Sequence, residues 1–126
     1  MLYLTNGLDN GISLPNGIKR IYEGDWVEDQ REGQGYEKYS NLNEYEGGFK
    51  QNKAHGRGIY AWRSSGDFYE GQWIMGERSG KGAWRSGRGE YYEGDWVTNQ
   101  AQGYGVMIWA NGKNTLCFKN HLGDRY

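Results

Sequence analysis

The chain has 126 residues with 22 glycines, 6 Trp, 11 Tyr and 3 Phe, and 15 basic against 16 acidic residues leave a net charge of −1. That balance, with so many rings, excludes the charged, ring-poor composition of a disordered chain. One cysteine, Cys117, excludes an internal disulfide and a cysteine-based zinc site, and the longest apolar run, Val106–Ala110, falls far short of the roughly 20 residues of a spanning helix. The N-terminus, Met1–Gly7, lacks the basic region and apolar length of a secretory signal. A soluble, cytoplasmic protein of a reducing compartment is therefore expected.

In chain order, Met1–Asn10 is read as one added edge strand and Gly11–Leu14 as part of a first unit. From Tyr22 a repeat takes over. Tyr22-Glu23-Gly24-Asp25-Trp26 recurs as Tyr45-Glu46-Gly47-Gly48-Phe49, Tyr69-Glu70-Gly71-Gln72-Trp73 and Tyr92-Glu93-Gly94-Asp95-Trp96, at steps of 23, 24 and 23 residues. Eleven residues after each tyrosine begins a Gly-x-Gly: Gly33-Gln34-Gly35, Gly56-Arg57-Gly58, Gly80-Lys81-Gly82 and Gly103-Tyr104-Gly105. The extra residue of the second step thus lies between Gly58 and Tyr69, in a connection. Asp29, Asn52, Gly76 and Asn99 follow each Trp-position ring by three residues, and these types favour left-handed or side-chain-closed turns. Between the turns Tyr, Gly and Trp alternate with acidic or amide residues, the period of two of a strand.

Each unit is therefore one β-hairpin, and hairpins must stack to bury their rings. The glycines give neighbouring rings a floor that a β-carbon would obstruct, with both glycines of each Gly-x-Gly on one face. About ten strands are expected, near 12–14, 18–27, 33–39, 44–50, 56–62, 67–74, 80–85, 90–97, 103–109 and 114–119. At roughly 4.8 Å per strand they make a ribbon roughly 45 Å long, twisted by roughly 20–25° per step. The fold class is all-β, an elongated twisted antiparallel single sheet of hairpin repeats.

The Tyr-Glu-Gly-x-Trp and Gly-x-Gly signals resemble the membrane occupation and recognition nexus (MORN) repeat, with four copies over residues 22–109, starting at 22, 45, 69 and 92. Residues 1–21 are an N-terminal edge and partial repeat, and 110–126 a degenerate last copy, Lys113–Lys119, with a tail. Phe49 departs from the pattern at a Trp position, and Thr115-Leu116-Cys117-Phe118 departs further. The resemblance implies the same elongated sheet and a scaffolding role, in a ciliary or cytoskeletal setting among others.

No catalytic, cofactor or metal constellation emerges. Glu23, Glu46, Glu70 and Glu93 are one position repeated about 10 Å apart rather than a convergent site. His55 stands where other copies have Glu32, Ser79 and Gln102, and His121 lies in the tail. Cys117 reads as a small apolar residue, and no Gly-x-Gly opens a helix as a phosphate loop does. A non-catalytic protein-interaction scaffold, a component of a larger assembly, is the expected function. Its protein-binding candidates are the rings Tyr22, Trp26, Tyr45, Phe49, Tyr69, Trp73, Tyr92 and Trp96, and the open sheet edges allow self-association. The alternative rests on charge. Residues 21–49 hold two basic and eight acidic residues, whereas residues 50–88 hold eight basic and three acidic. Arg57, Arg78, Lys81, Arg85 and Arg88 would then hold an anionic partner such as phospholipid, unless the run is only a solvated face. Nucleic acid is not expected.

Overall fold

The computed structural model describes residues 20–119. Within them lie nine strands: β1 (Ile21–Val27), β2 (Gln30–Lys38), β3 (Glu44–Lys50), β4 (Lys53–Ala61), β5 (Phe68–Ile74), β6 (Glu77–Arg85), β7 (Tyr91–Val97), β8 (Gln100–Ile108) and β9 (Asn114–Lys119). They form one antiparallel sheet in sequence order. The fold class read from the sequence therefore holds, with nine strands among the described residues against about ten expected. The strand near 12–14, the edge strand in Met1–Asn10, the partial unit Gly11–Leu14, the C-terminal tail and the side chains of the degenerate last copy, Cys117 included, lie outside what is described.

Two kinds of connection alternate. The β1–β2, β3–β4, β5–β6 and β7–β8 links are two residues long, and both residues have positive φ: Glu28 and Asp29, Gln51 and Asn52, Met75 and Gly76, Thr98 and Asn99. This is the type I′ turn, whose twist matches that of its flanking strands. Because it needs only two residues, each return strand begins three residues earlier than the Gly-x-Gly signal suggested. The other links hold five residues (39–43, 86–90, 109–113) or six (62–67). The additional residue of the 24-residue step sits in the six-residue link.

Pairing brings the glycines into line. Gly24, Gly35, Gly47, Gly58, Gly71, Gly82, Gly94 and Gly105 are successive register partners across β1–β8. The repeat tyrosines lie over this row. A β-carbon at Gly58 would stand 2.2 Å from Tyr45 Oη, and one at Gly82 would stand 2.2 Å from Tyr69 Oη. Each hydroxyl then donates to the carbonyl three residues along its own strand: Tyr22 to Asp25, Tyr45 to Gly48 and Tyr69 to Gln72 at 2.8 Å, and Tyr92 to Asp95 at 3.0 Å.

The first glycine of each Gly-x-Gly does something else, which corrects the shared role given to the pair. Gly33, Gly56, Gly80 and Gly103 have φ of 73°, 88°, 96° and 79°, a backbone that glycine adopts without strain. They sit in bulges. Between the pairs Gly24↔Gly35 and Trp26↔Arg31, one residue of β1 faces three of β2, and the arrangement recurs in the next three hairpins. The variable residue of Tyr-Glu-Gly-x-Trp closes the bulge: Gln72 Oε1 accepts from Lys81 N (2.7 Å) and Asp95 Oδ2 from Tyr104 N (3.0 Å).

Candidate functional site

Strand alternation sends the repeat tyrosines and Trp-position rings to one face, where they pack edge to face. Tyr22 meets Trp26 and Phe49, Tyr45 meets Phe49 and Trp73, Tyr69 meets Trp73 and Trp96, and Tyr92 meets Trp96, with centroids 5.1–5.6 Å apart. Trp73 and Trp96 donate their indole N–H to the carbonyls of Gly58 and Gly82, a bond that Phe49 cannot make. Tyr45 and Tyr69 are 0% exposed, and Tyr22, Phe49, Trp73, Tyr92 and Trp96 are also buried. Seven of the eight ring candidates therefore form the core. They are not a surface for a partner, and Trp26 is only half-buried. The rings with remaining exposure on this face, Tyr39, Tyr60, Trp62 and Trp84, are packed against that core.

Arginines stitch adjacent hairpins on the ring face. Arg31 donates from N (2.9 Å) and Nε (3.2 Å) to Asn52 Oδ1 and from Nη2 (2.7 Å) to the Asn52 carbonyl. Arg78 makes the same three bonds to Asn99, at 2.9, 3.3 and 3.1 Å. The guanidinium of Arg31 lies over Phe49 and Tyr22, and that of Arg78 over Trp96, Trp62 and Tyr69, 4.9–5.8 Å from the ring centroids. Burial holds the Arg78 guanidinium below its ordinary pKa. Arg78 thus belongs to the inter-repeat packing and is not grouped with the other basic candidates. The second and fourth units have Ala54 and Ala101 at this position. The repeating element is consequently a pair of hairpins, 47 residues from Tyr22 to Tyr69 and from Tyr45 to Tyr92.

The first unit adds a buried acid. Glu37 is 2% exposed and holds Arg31 Nη1 and Arg20 Nη2, each at 2.5 Å. It is the register partner of Tyr22, the position that Tyr60, Trp84 and Met107 take against Tyr45, Tyr69 and Tyr92. Burial first, and then the Glu37 carboxylate, push the neighbouring Tyr39 hydroxyl far above its usual range.

The opposite face is open. A groove of about 720 Å³ runs over β4–β8, with Gly82, Gly94 and Gly105 in its floor and Arg57, Glu70, Lys81, Tyr91, Glu93, Tyr104 and Val106 along it. Tyr104, Ile59 and Val106 expose much of their apolar surface here. The basic candidates on this face are already engaged. Arg57 approaches Glu70 at 4.0 Å, Lys81 pairs with Asp95, and Arg85 stacks on Tyr91 with Phe68 on its other side. Arg88, in the β6–β7 link, pairs with Glu90. The hydrogen bond from Lys81, joined by that from Tyr104 N, lowers the Asp95 carboxyl below the usual range.

Among the described residues no group of three or more His, Cys, Asp or Glu is placed to hold a metal ion, and no helix is long and apolar enough to cross a membrane. His55 Nδ1 accepts from Met75 N (3.2 Å), as Glu32 accepts from Gln51 N and Ser79 from Thr98 N. Side chains at that position join one turn to the next. Sequence reasoning missed Arg31, Glu37, Asn52 and Asn99 as a group. The signal was present in the alternation Arg31, Ala54, Arg78, Ala101, in step with Asp29, Asn52, Gly76, Asn99. A sequence model of the MORN repeat matches residues 22–44, 45–66, 69–91 and 92–113. Comparison with curated proteins gave no match.

Proposed function

Since the chain belongs to the MORN repeat family, whose repeats are generally protein- or membrane-interaction modules, we propose that it is a non-catalytic module that holds a protein partner in the groove opposite the ring face. One observation carries this reading: the ring face is spent on the core, while the groove exposes Tyr104 and Val106 between charged side chains. Apolar anchors rimmed by polar groups are the composition of a protein interface. Arg57, Lys81 and Arg88 each face an acidic partner, which weakens the case for an anionic phospholipid surface. A ciliary or cytoskeletal assembly is carried by the family resemblance alone.

The test pairs native capture of partners with vesicle co-sedimentation. The expected result is a partner lost on Tyr104→Glu or Val106→Glu and retained on Lys81→Glu with Arg88→Glu, with no vesicle association. Vesicle binding that falls with salt and with those two charge reversals, without partner retention, would establish the phospholipid reading instead.

A further inference from the structure

One register row runs across the open face from Glu23 on β1 to Val106 on β8, with Glu46, Ile59, Glu70 and Glu93 among its members. Its two ends differ in charge. Over β4–β8 the polar side chains answer one another: Arg57 approaches Glu70, Lys81 pairs with Asp95, and the Tyr91 hydroxyl donates to Glu93. What remains open between them is apolar, Ile59, Tyr104 and Val106. Over β1–β3 the carboxylates of Glu23, Glu44 and Glu46 surround Tyr36. Burial first, and then these three carboxylates, raise the Tyr36 hydroxyl to about 12. Lys38 stands beside Glu44 in register and is outnumbered. Among the described residues Glu44 and Glu46 form no ion pair.

We propose that the open face takes an extended protein segment of two unlike halves, laid across the strands: Lys or Arg side chains over Glu23, Glu44 and Glu46, and aromatic or aliphatic side chains in the groove beside Tyr104 and Val106. The matched charges of the groove leave apolar contact as its attraction, whereas the acid excess over β1–β3 selects cations and repels an acidic segment. Side chains carry the recognition, because β2–β8 are hydrogen-bonded on both sides and offer no edge to an added strand. Five strand steps separate Glu46 on β3 from Val106 on β8, roughly 24 Å, which an extended chain covers in about seven residues. The long stems of Lys and Arg can follow the twist of the sheet over that span. The apolar half rests on the reading of the groove as a protein-binding surface, while the basic half can fail alone.

The test selects phage-displayed random peptides of about 16 residues, long enough for both halves, on the immobilised full chain, and then titrates one selected peptide. The expected consensus holds two or more Lys or Arg about seven residues from an aromatic or aliphatic anchor. Glu44→Lys with Glu46→Lys should weaken that peptide about tenfold, since two exposed attractions become repulsions. Selection on this variant should return Asp or Glu at the formerly basic positions. Glu44→Gln with Glu46→Gln should weaken the peptide about threefold and reduce its salt dependence, so that a folding failure of the reversed variant leaves a second measurement. An apolar consensus lost on Tyr104→Glu but indifferent to both changes at Glu44 and Glu46 would overturn the proposal and leave the protein-binding groove standing. Enrichment of acidic residues on the unaltered chain, or no enrichment, would also overturn it.

Discussion

Around Arg31 the register partner of the repeat tyrosine is the buried carboxylate of Glu37, whereas around Arg78 the same place is filled by the indole of Trp84. Both arginines nevertheless make three hydrogen bonds to an asparagine in the next turn and lie over rings of adjacent units, two for Arg31 and three for Arg78. The carboxylate is therefore not what places an arginine here. A turn carbonyl, an asparagine amide and flanking rings suffice, and Glu37 serves to bring Arg20 to the same point on the sheet. A buried ion pair is a costly substitute for rings: its loss on one side leaves a desolvated charge, while an apolar filling leaves only a cavity.

Removing the acid should break the comparison most sharply. Glu37→Ala should lose about 3 kcal/mol in urea unfolding, because Arg31 is left buried without its counter-charge. Arg31→Ala should follow closely, and Arg78→Ala should lose less, about 2 kcal/mol, as no carboxylate is stranded. Equal losses for the two arginines would show that Glu37 is energetically irrelevant. Asn99→Gly keeps a residue suited to the left-handed turn and deletes only the side-chain acceptor, so about 1 kcal/mol is expected. Arg57→Ala, at an exposed 4.0 Å pair, should change stability by no more than about 0.5 kcal/mol.

Alkaline titration sharpens the same contrast. Burial, with Asp25 and Glu37 among the further causes, raises Tyr22 to about 12, and burial alone raises Tyr69 to about 12 against lowering by Arg78 and Arg57. The unfolded chain loses these protons near the ordinary value of about 10. The stability they contribute is thus complete below pH 10 and is lost as pH rises through about 12. Glu37→Gln should lower the ionisation midpoint of Tyr22 and leave that of Tyr69 in place, read from tyrosinate absorbance in single-tyrosine replacements.

The repeat period, the hairpins and the left-handed turns at Asp29, Asn52, Gly76 and Asn99 were legible because each is local: a spacing, an alternation, a residue that tolerates positive φ. What escaped depends on pairing. The two glycines of Gly82 and Gly80 look alike in Gly-Lys-Gly, yet one pairs with Gly94 beneath Tyr69 and the other turns through a bulge. Arg78 reads as one charge in a basic run, and only its hydrogen bonds to Asn99 and its place over Trp96 show it to be packing. That stacked hairpins bury their rings was legible, whereas the edge-to-face packing between units that leaves Tyr45 and Trp73 no surface for a partner was not.

The central claim is that each repeat tyrosine rests on a position that must lack a side chain. Thermal unfolding of Gly82→Ala beside Lys81→Ala tests it most directly, since the two residues are adjacent and only the first lies under Tyr69. The account predicts a marked drop in Tm for Gly82→Ala, from a displaced ring and an overpacked sheet, and almost none for Lys81→Ala. Equal melting temperatures for the two variants would contradict it.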